Sequence, residues 1–257
     1  MGASENKYIK KARKKRIIKR TIFILILVII ALGLLITKSK IFLIKNIELD
    51  GKNLVSKDVI SNELQNIKGE NIFFVKSDDI KKALKSDPYI NEVSISRKFP
   101  STLKVNVTEK NIAYYTKTSS GYDIISSDFV LLEKVNDIKG RKLIELIGLN
   151  SDNETLGSKY INTKDDTRLE DFLKELYKIN QSNTTKHNIT KVNVSNLNSI
   201  IVYFGDTEVK VGNGENLVKK MNDALNILNG LEEQKVNMKK GYVDVSFEGA
   251  PVIKQGK

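Results

Sequence analysis

The stretch Thr21–Thr37, TIFILILVIIALGLLIT, limits what this chain can fold into more than any other. Its seventeen residues carry no charge, and thirteen of them are Ile, Leu, Val or Phe. At about 1.5 Å per residue, a helix of this length reaches roughly 25 Å, near the lower limit for crossing a bilayer. On an insertion scale those thirteen side chains contribute at most about −4 to −8 kcal/mol, which is enough for a span. A buried core helix of this length would show a polar face, and this one has none. Residues 21–40 are therefore read as a transmembrane signal anchor.

The flanks set its direction. Residues 1–20 hold nine Lys or Arg against Glu5 alone, a net +8 of the chain's +12. Arg13, Lys14, Lys15, Arg16, Lys19 and Arg20 directly precede the span. As topology determinants they keep residues 1–20 as a basic cytoplasmic tail and put the bulk of the chain outside. Such a cluster in another setting would point to nucleic acid. Beside a span, topology and anionic membrane lipid account for it, and no nucleic acid partner is expected. The exit, Leu34-Leu35-Ile36-Thr37-Lys38-Ser39-Lys40, lacks a small-x-small cleavage site, so the anchor is expected to stay attached. The chain has no cysteine, which removes disulfides, thiolate metal sites and cysteine nucleophiles together.

After the span, Ile41–Leu49 is apolar and ends in strand-like alternation over Ile44–Leu49, before the Asp50-Gly51 turn. A helix with Ser56 at its N-cap and Asp58 in its first turn presents Val59, Ile60, Leu64 and Ile67, and Gly69 stops it. A shorter helix begins at Ser77 with Asp78 and Asp79 at its positive end, carries Ile80, Ala83 and Leu84, and ends before Asp87-Pro88. Two alternating runs follow, Val93, Ile95 and Arg97, then Leu103, Val105 and Val107. They read as a hairpin linked by Lys98-Phe99-Pro100-Ser101, with Pro100 shaping the link and Phe99 closing a small core. The order over residues 41–110 is β-α-α-β-β.

These residues resemble a POTRA domain, and in detail that of the FtsQ/DivIB family of bacterial cell-division proteins. The resemblance rests on Ile47-x-Leu49-x-Gly51, on Leu84-x-x-x-Pro88-Tyr89-Ile90, and on Val93-x-Ile95-x-Arg97-x-Phe99-Pro100-x-x-Leu103-x-Val105-x-Val107-x-Glu109. The last string is the most specific. Where the family tends to have Glu-basic-x-Pro-x-Ala, this chain reads Glu109-Lys110-Asn111-Ile112-Ala113.

Residues 111–250 read as a second, mixed α/β, strand-rich domain, with 251–257 a short tail. Strands are expected at Ile112–Tyr115, Tyr122–Ile125, Phe129–Leu132 and Leu143–Leu149. Ser126-Ser127-Asp128-Phe129 stands where the family usually has an Asp-x-x-Gly turn. Asn150–Thr163 is polar and reads as a surface loop. An amphipathic helix over Thr167–Ile179 carries Leu169, Phe172, Leu173, Leu176 and Tyr177. Strands follow at Ile189–Val194, Ile200–Phe204 and Glu208–Val211. A helix over Glu215–Leu228 buries Leu217, Met221, Ala224, Leu225 and Leu228. Tyr242–Phe247 closes the domain as an alternating strand, with Val243, Val245 and Phe247 facing inward. The whole is an α+β ectodomain behind one N-terminal transmembrane helix.

Chemistry is sparse. His187, the single histidine, has no His, Cys or Asp at ligand spacing and reads as a loop residue, so no metal is expected. Gly212-Asn213-Gly214 precedes a helix but lacks the Lys-Ser/Thr of a phosphate loop. No catalytic residue and no cofactor are expected. The resemblance implies a non-enzymatic component of the bacterial divisome at the division septum. It would bind FtsB/DivIC-type and FtsL-type bitopic proteins and help regulate the septal cell-wall synthase complex. It also implies capture of a partner strand by an exposed sheet edge near the C-terminus, here Tyr242, Val243, Asp244, Val245, Ser246 and Phe247. Arg97 is a further candidate contact. The alternatives are a POTRA-bearing scaffold for export or assembly and a membrane-anchored cell-wall hydrolase. The first would usually carry tandem repeats or a barrel, and the second a carboxylate pair or metal cluster.

Overall fold

A computed structural model describes residues 3–51, 55–138, 140–149, 155–161 and 166–256. Helix α1 runs unbroken over Ala3–Lys38. The basic tail expected ahead of the anchor is therefore part of the same helix, because neither Gly nor Pro interrupts residues 3–32. The helix is long and apolar enough to cross a membrane, and none of its apolar stretch is buried inside the protein. The hydroxyls of Thr21 and Thr37 donate to the carbonyls of Ile17 and Gly33, each at 3.0 Å, so both ends of the apolar run satisfy their polar groups internally.

The chain divides into two compact units, Met1–Leu84 with Glu92–Val107, which includes α1, and Lys85–Asn91 with Thr108–Lys257. In the first, β1 (Asn46–Asp50), α2 (Lys57–Gln65), α3 (Ser77–Leu84), β2 (Ile90–Lys98) and β3 (Thr102–Glu109) follow the expected order. The sheet order is β1-β3-β2. Strand β1 runs parallel to β3, setting Ile47 opposite Leu103 and Leu49 opposite Val105. Leu103, Val105 and Val107 are buried, as are Ile60 and Leu64 of α2 and Ile80 and Leu84 of α3. Val59 and Ala83, expected in the same stripes, are exposed. A helix of two turns has few positions pointing inward, and the sheet takes only these. Phe99 is a second correction: it lies 55 % exposed rather than closing the core.

The second unit holds β4 (Ile112–Thr118), β5 (Gly121–Ser126), β6 (Leu131–Val135), β7 (Ile144–Ile147), α4 (Arg168–Ser182), β8 (Ile189–Asn193), β9 (Ile200–Phe204), β10 (Thr207–Gly212), α5 (Leu217–Glu233), β11 (Tyr242–Asp244) and β12 (Val252–Lys254). The strands form one sheet in the order β12-β11-β10-β9-β8-β7-β4-β5-β6. Phe172, Leu173 and Leu176 of α4, and Leu217, Met221, Ala224, Leu225 and Leu228 of α5, share one core with Leu146, Val192, Val202, Val209 and Val243 of the strands. The 3.6-residue stripe on each helix thus meets the period-2 face of the sheet.

Two loops depart from expectation. In the Ser126–Phe129 turn, the Ser126 hydroxyl donates to Asp128 Oδ1 at 2.5 Å and accepts from the Val130 amide at 2.9 Å. Phe129 takes the left-handed φ of 64°, the conformation that glycine adopts without strain. Full burial of its ring and the bond from the Phe129 amide to the Ser126 carbonyl, 3.0 Å, hold it there. The polar loop expected over Asn150–Thr163 lies partly outside the described residues, at 150–154 and 162–163. Its described part is not all surface, since Tyr160 and Ile161 are buried. The Tyr160 hydroxyl donates to the buried Asp123 carboxylate at 2.9 Å, so that carboxylate has a partner.

Candidate partner-binding edge

Strand β10 builds the inner rail of the C-terminal edge. Strand β11 adds to it in parallel, Glu208 opposite Tyr242, Val209 opposite Val243 and Lys210 opposite Asp244. The strand expected over Tyr242–Phe247 stops at Asp244. Asp244 Oδ1 accepts from the Ser246 amide at 3.0 Å and from its hydroxyl at 2.6 Å, and this Asx turn bends the chain out of the ladder. Val243 and Val245 enter the core as expected, while Phe247 is 47 % exposed beyond the turn. Tyr242, Asp244 and Ser246 are half-buried. The Lys220 ammonium reaches across from α5 to the carbonyls of Val211, 2.9 Å, and Ser246, 3.4 Å. It clamps the turn to the helix.

Nor is β11 the edge. The residues read as a C-terminal tail supply β12, which pairs antiparallel with β11 through Tyr242–Lys254, Val243–Ile253 and Asp244–Val252. Every residue of β12 is exposed, and among the described residues no strand lies beyond it. Gly241 permits this docking, for a Cβ there would stand 2.6 Å from the Lys254 carbonyl oxygen. The Tyr242 ring adds a side-chain tie, with Lys210 Nζ 3.9 Å and Lys254 Nζ 5.9 Å from its centroid. Sequence reading missed Val252, Ile253 and Lys254 because three residues are too few to show alternation. The only local signal was an apolar pair following Pro251.

Arg97 sits elsewhere, in the first unit. Its Nε donates to the Ile72 carbonyl at 2.7 Å and a terminal nitrogen donates to that of Val75 at 2.8 Å. The guanidinium is spent on backbone, bolting the 72–75 turn to the end of β2. The topology determinants Arg13, Lys14, Lys15, Arg16, Lys19 and Arg20 are exposed along α1. His187 Nε2 lies 3.3 Å from a Glu232 carboxylate oxygen. Among the described residues, no three His, Cys, Asp or Glu side chains are grouped to hold a metal ion.

Residues 42–110 match the POTRA domain of FtsQ type. The cell division protein DivIB of Clostridium botulinum strain Hall is 35 % identical over 250 residues, covering 97 % of this chain and 96 % of its own length. The DivIB of Clostridium acetobutylicum is 36 % identical over 249 residues, covering 96 % and 97 %. The cell division protein FtsQ of Corynebacterium glutamicum shares 25 % over 114 residues, 44 % of this chain and 51 % of its own. A likeness that runs from the apolar helix through both folded units is a property of the whole chain, and the chain belongs to the FtsQ/DivIB family of cell-division proteins.

Proposed function

We propose that this chain is a bitopic, non-enzymatic scaffold of the division septum. Its first twenty residues remain in the cytoplasm and its two folded units stand outside. The observation that carries the reading is the similarity to DivIB proteins over almost the full length of both chains. Its partners are FtsB/DivIC-type and FtsL-type bitopic proteins, through which it helps regulate the septal cell-wall synthase. The capture surface is the C-terminal sheet edge, and the bare strand there is β12 rather than Tyr242–Phe247. A partner segment in extended conformation adds beside Val252–Lys254. Backbone hydrogen bonds supply affinity, and the alternate side chains of the incoming strand supply choice.

Two measurements test this. An N-terminal fluorescent fusion should form a midcell band that depends on the division machinery, whereas a uniform peripheral ring would remove the septal assignment. Full-length chain carrying Ile253→Pro should lose capture of a purified DivIC-type partner at least about tenfold, the equivalent of roughly 1.4 kcal/mol. Its thermal melt should stay near that of the parent. Undiminished capture by a folded Ile253→Pro chain would clear this edge of the role.

A further inference from the structure

The first unit carries an aromatic cluster that neither its core nor the proposed partner edge uses. Phe42 packs edge-on against Phe73, with ring centroids 5.1 Å apart, and Phe73 stacks on Phe99 at 4.9 Å. Phe73, Phe74 and Phe99 are all exposed, Phe74 by 59 %, and Ile41 beside Phe42 is exposed too. Phenylalanine is among the side chains most often buried, so several exposed together mark a surface that meets something apolar.

The backbone places that surface where the apolar helix ends. Helix α1 stops at Lys38, and Ser39 caps a single 3-10 turn over Lys40–Phe42. The Ile72 amide donates to the Phe42 carbonyl at 2.8 Å, and the Lys45 amide to that of Ser101 at 2.9 Å. The 71–74 turn and the 98–101 link are thereby gathered around the first residues after the helix. Asn71 joins the pieces: its Nδ2 donates to the Ile36 carbonyl in the last turn of α1 at 2.7 Å, while its Oδ1 accepts from the Phe73 amide at 3.0 Å. Arg97 holds the other side of the same turn through the carbonyls of Ile72 and Val75. A turn pinned at both ends presents its two phenylalanines without having to order them on contact.

We infer that Ile41, Phe73, Phe74 and Phe99 form a lipid-facing foot that seats this unit in the membrane interface around the exit of α1. The surface is continuous with a helix that is itself apolar and unburied, so the apolar medium that meets one meets the other. Lys38 and Lys40 are exposed at the same level, suited to anionic headgroups. Rings at the boundary of the hydrocarbon keep their faces in an apolar layer while neighbouring lysines stay in water.

The chain has no tryptophan, so a single introduced indole reports without background. Full-length Phe74→Trp is reconstituted in phosphatidylglycerol/phosphatidylcholine vesicles, with and without lipids brominated on their acyl chains. Phe23→Trp, inside the apolar run, serves as the fully quenched reference. The expected result is blue-shifted emission for Phe74→Trp that loses most of its intensity to brominated lipid. Emission typical of indole in water, unchanged by bromine, would overturn the inference. Blue-shifted emission that bromine does not quench would overturn it as well, since it would show a protein cover such as a second copy of the chain.

Discussion

The two ends of the nine-stranded sheet are finished in opposite ways. At the β6 end, the Leu131 amide donates to the Ser158 carbonyl at 3.0 Å, and the Leu131 carbonyl accepts from the Gly157 amide at 2.8 Å. Leu131 and Leu132 are buried, and Glu133 of the same strand is ion-paired with Arg141, which follows the strand in the chain. That edge is covered by the chain itself. At the β12 end there are three residues, all exposed, including Val252 at 47 % and Ile253 at 44 %. Uncovered edges invite strand addition, and proteins usually keep them short and place lysine on them, as Lys254 is here. One end of the sheet is closed for stability and the other is left open, which is the condition for capturing a strand.

Changes at the closed end should cost the most. Leu131→Ala removes a fully buried side chain and should destabilise the second unit by about 2–5 kcal/mol. Urea unfolding would read this, and a loss under about 1 kcal/mol would mean that the edge is less tightly closed than its burial implies. At the open end, Gly241→Ala forces a Cβ against the Lys254 carbonyl, an overpacking of about 1–3 kcal/mol that should detach β12 while leaving the core intact. Amide exchange should then accelerate at 252–254 and not in α5. Equal acceleration in both would contradict an independently docked edge strand. Lys210→Met withdraws the nearer cation from Tyr242 and should weaken that docking by about 0.5–1 kcal/mol, seen as a smaller rise in the same exchange rates.

The smallest effect concerns the turn that leads into the closed end. Burial pushes the Asp128 carboxyl upward, but hydrogen bonds from Lys110 and Ser126, with the Lys110 charge, outweigh it and hold the group below its ordinary 3.8. The native state therefore favours the carboxylate. Its contribution is present above the ordinary value and is lost as pH falls through the lower native one. The carboxylate is nearly half exposed, so solvent screening limits this to at most about 1 kcal/mol. Parent and Asp128→Asn chains should differ in stability near neutrality and converge in acid. A gap that persists at low pH would assign the turn's stability to something other than this charge.

Much of the architecture was legible because it is periodic. All five residues named for the inner face of α5 are buried, and β9 spans the same five residues as expected. Those elements are long enough for burial on one side to leave a repeated mark. The misses share a different cause. Val59 obeys the helical spacing of α2 yet is exposed, because the width of the neighbouring sheet, not the helix, decides how many positions are covered. Tyr160 and Ile161 lie in polar sequence yet close the core, because β5 and β6 come to them. Phe99 looked like core and instead stacks on Phe73, more than twenty residues away along the chain.

The sequence by itself determined the apolar span, the basic flank and most of the strands and helices, since charge, hydropathy and alternation are written residue by residue. Tertiary structure alone decided which strand ends the sheet. Whether Tyr242–Asp244 is an edge depends on Val252–Lys254 folding back across it, and on Gly241 leaving room for that approach. Pairing of this kind joins segments through backbone hydrogen bonds, which every residue but proline can make, so it leaves little trace in side-chain pattern.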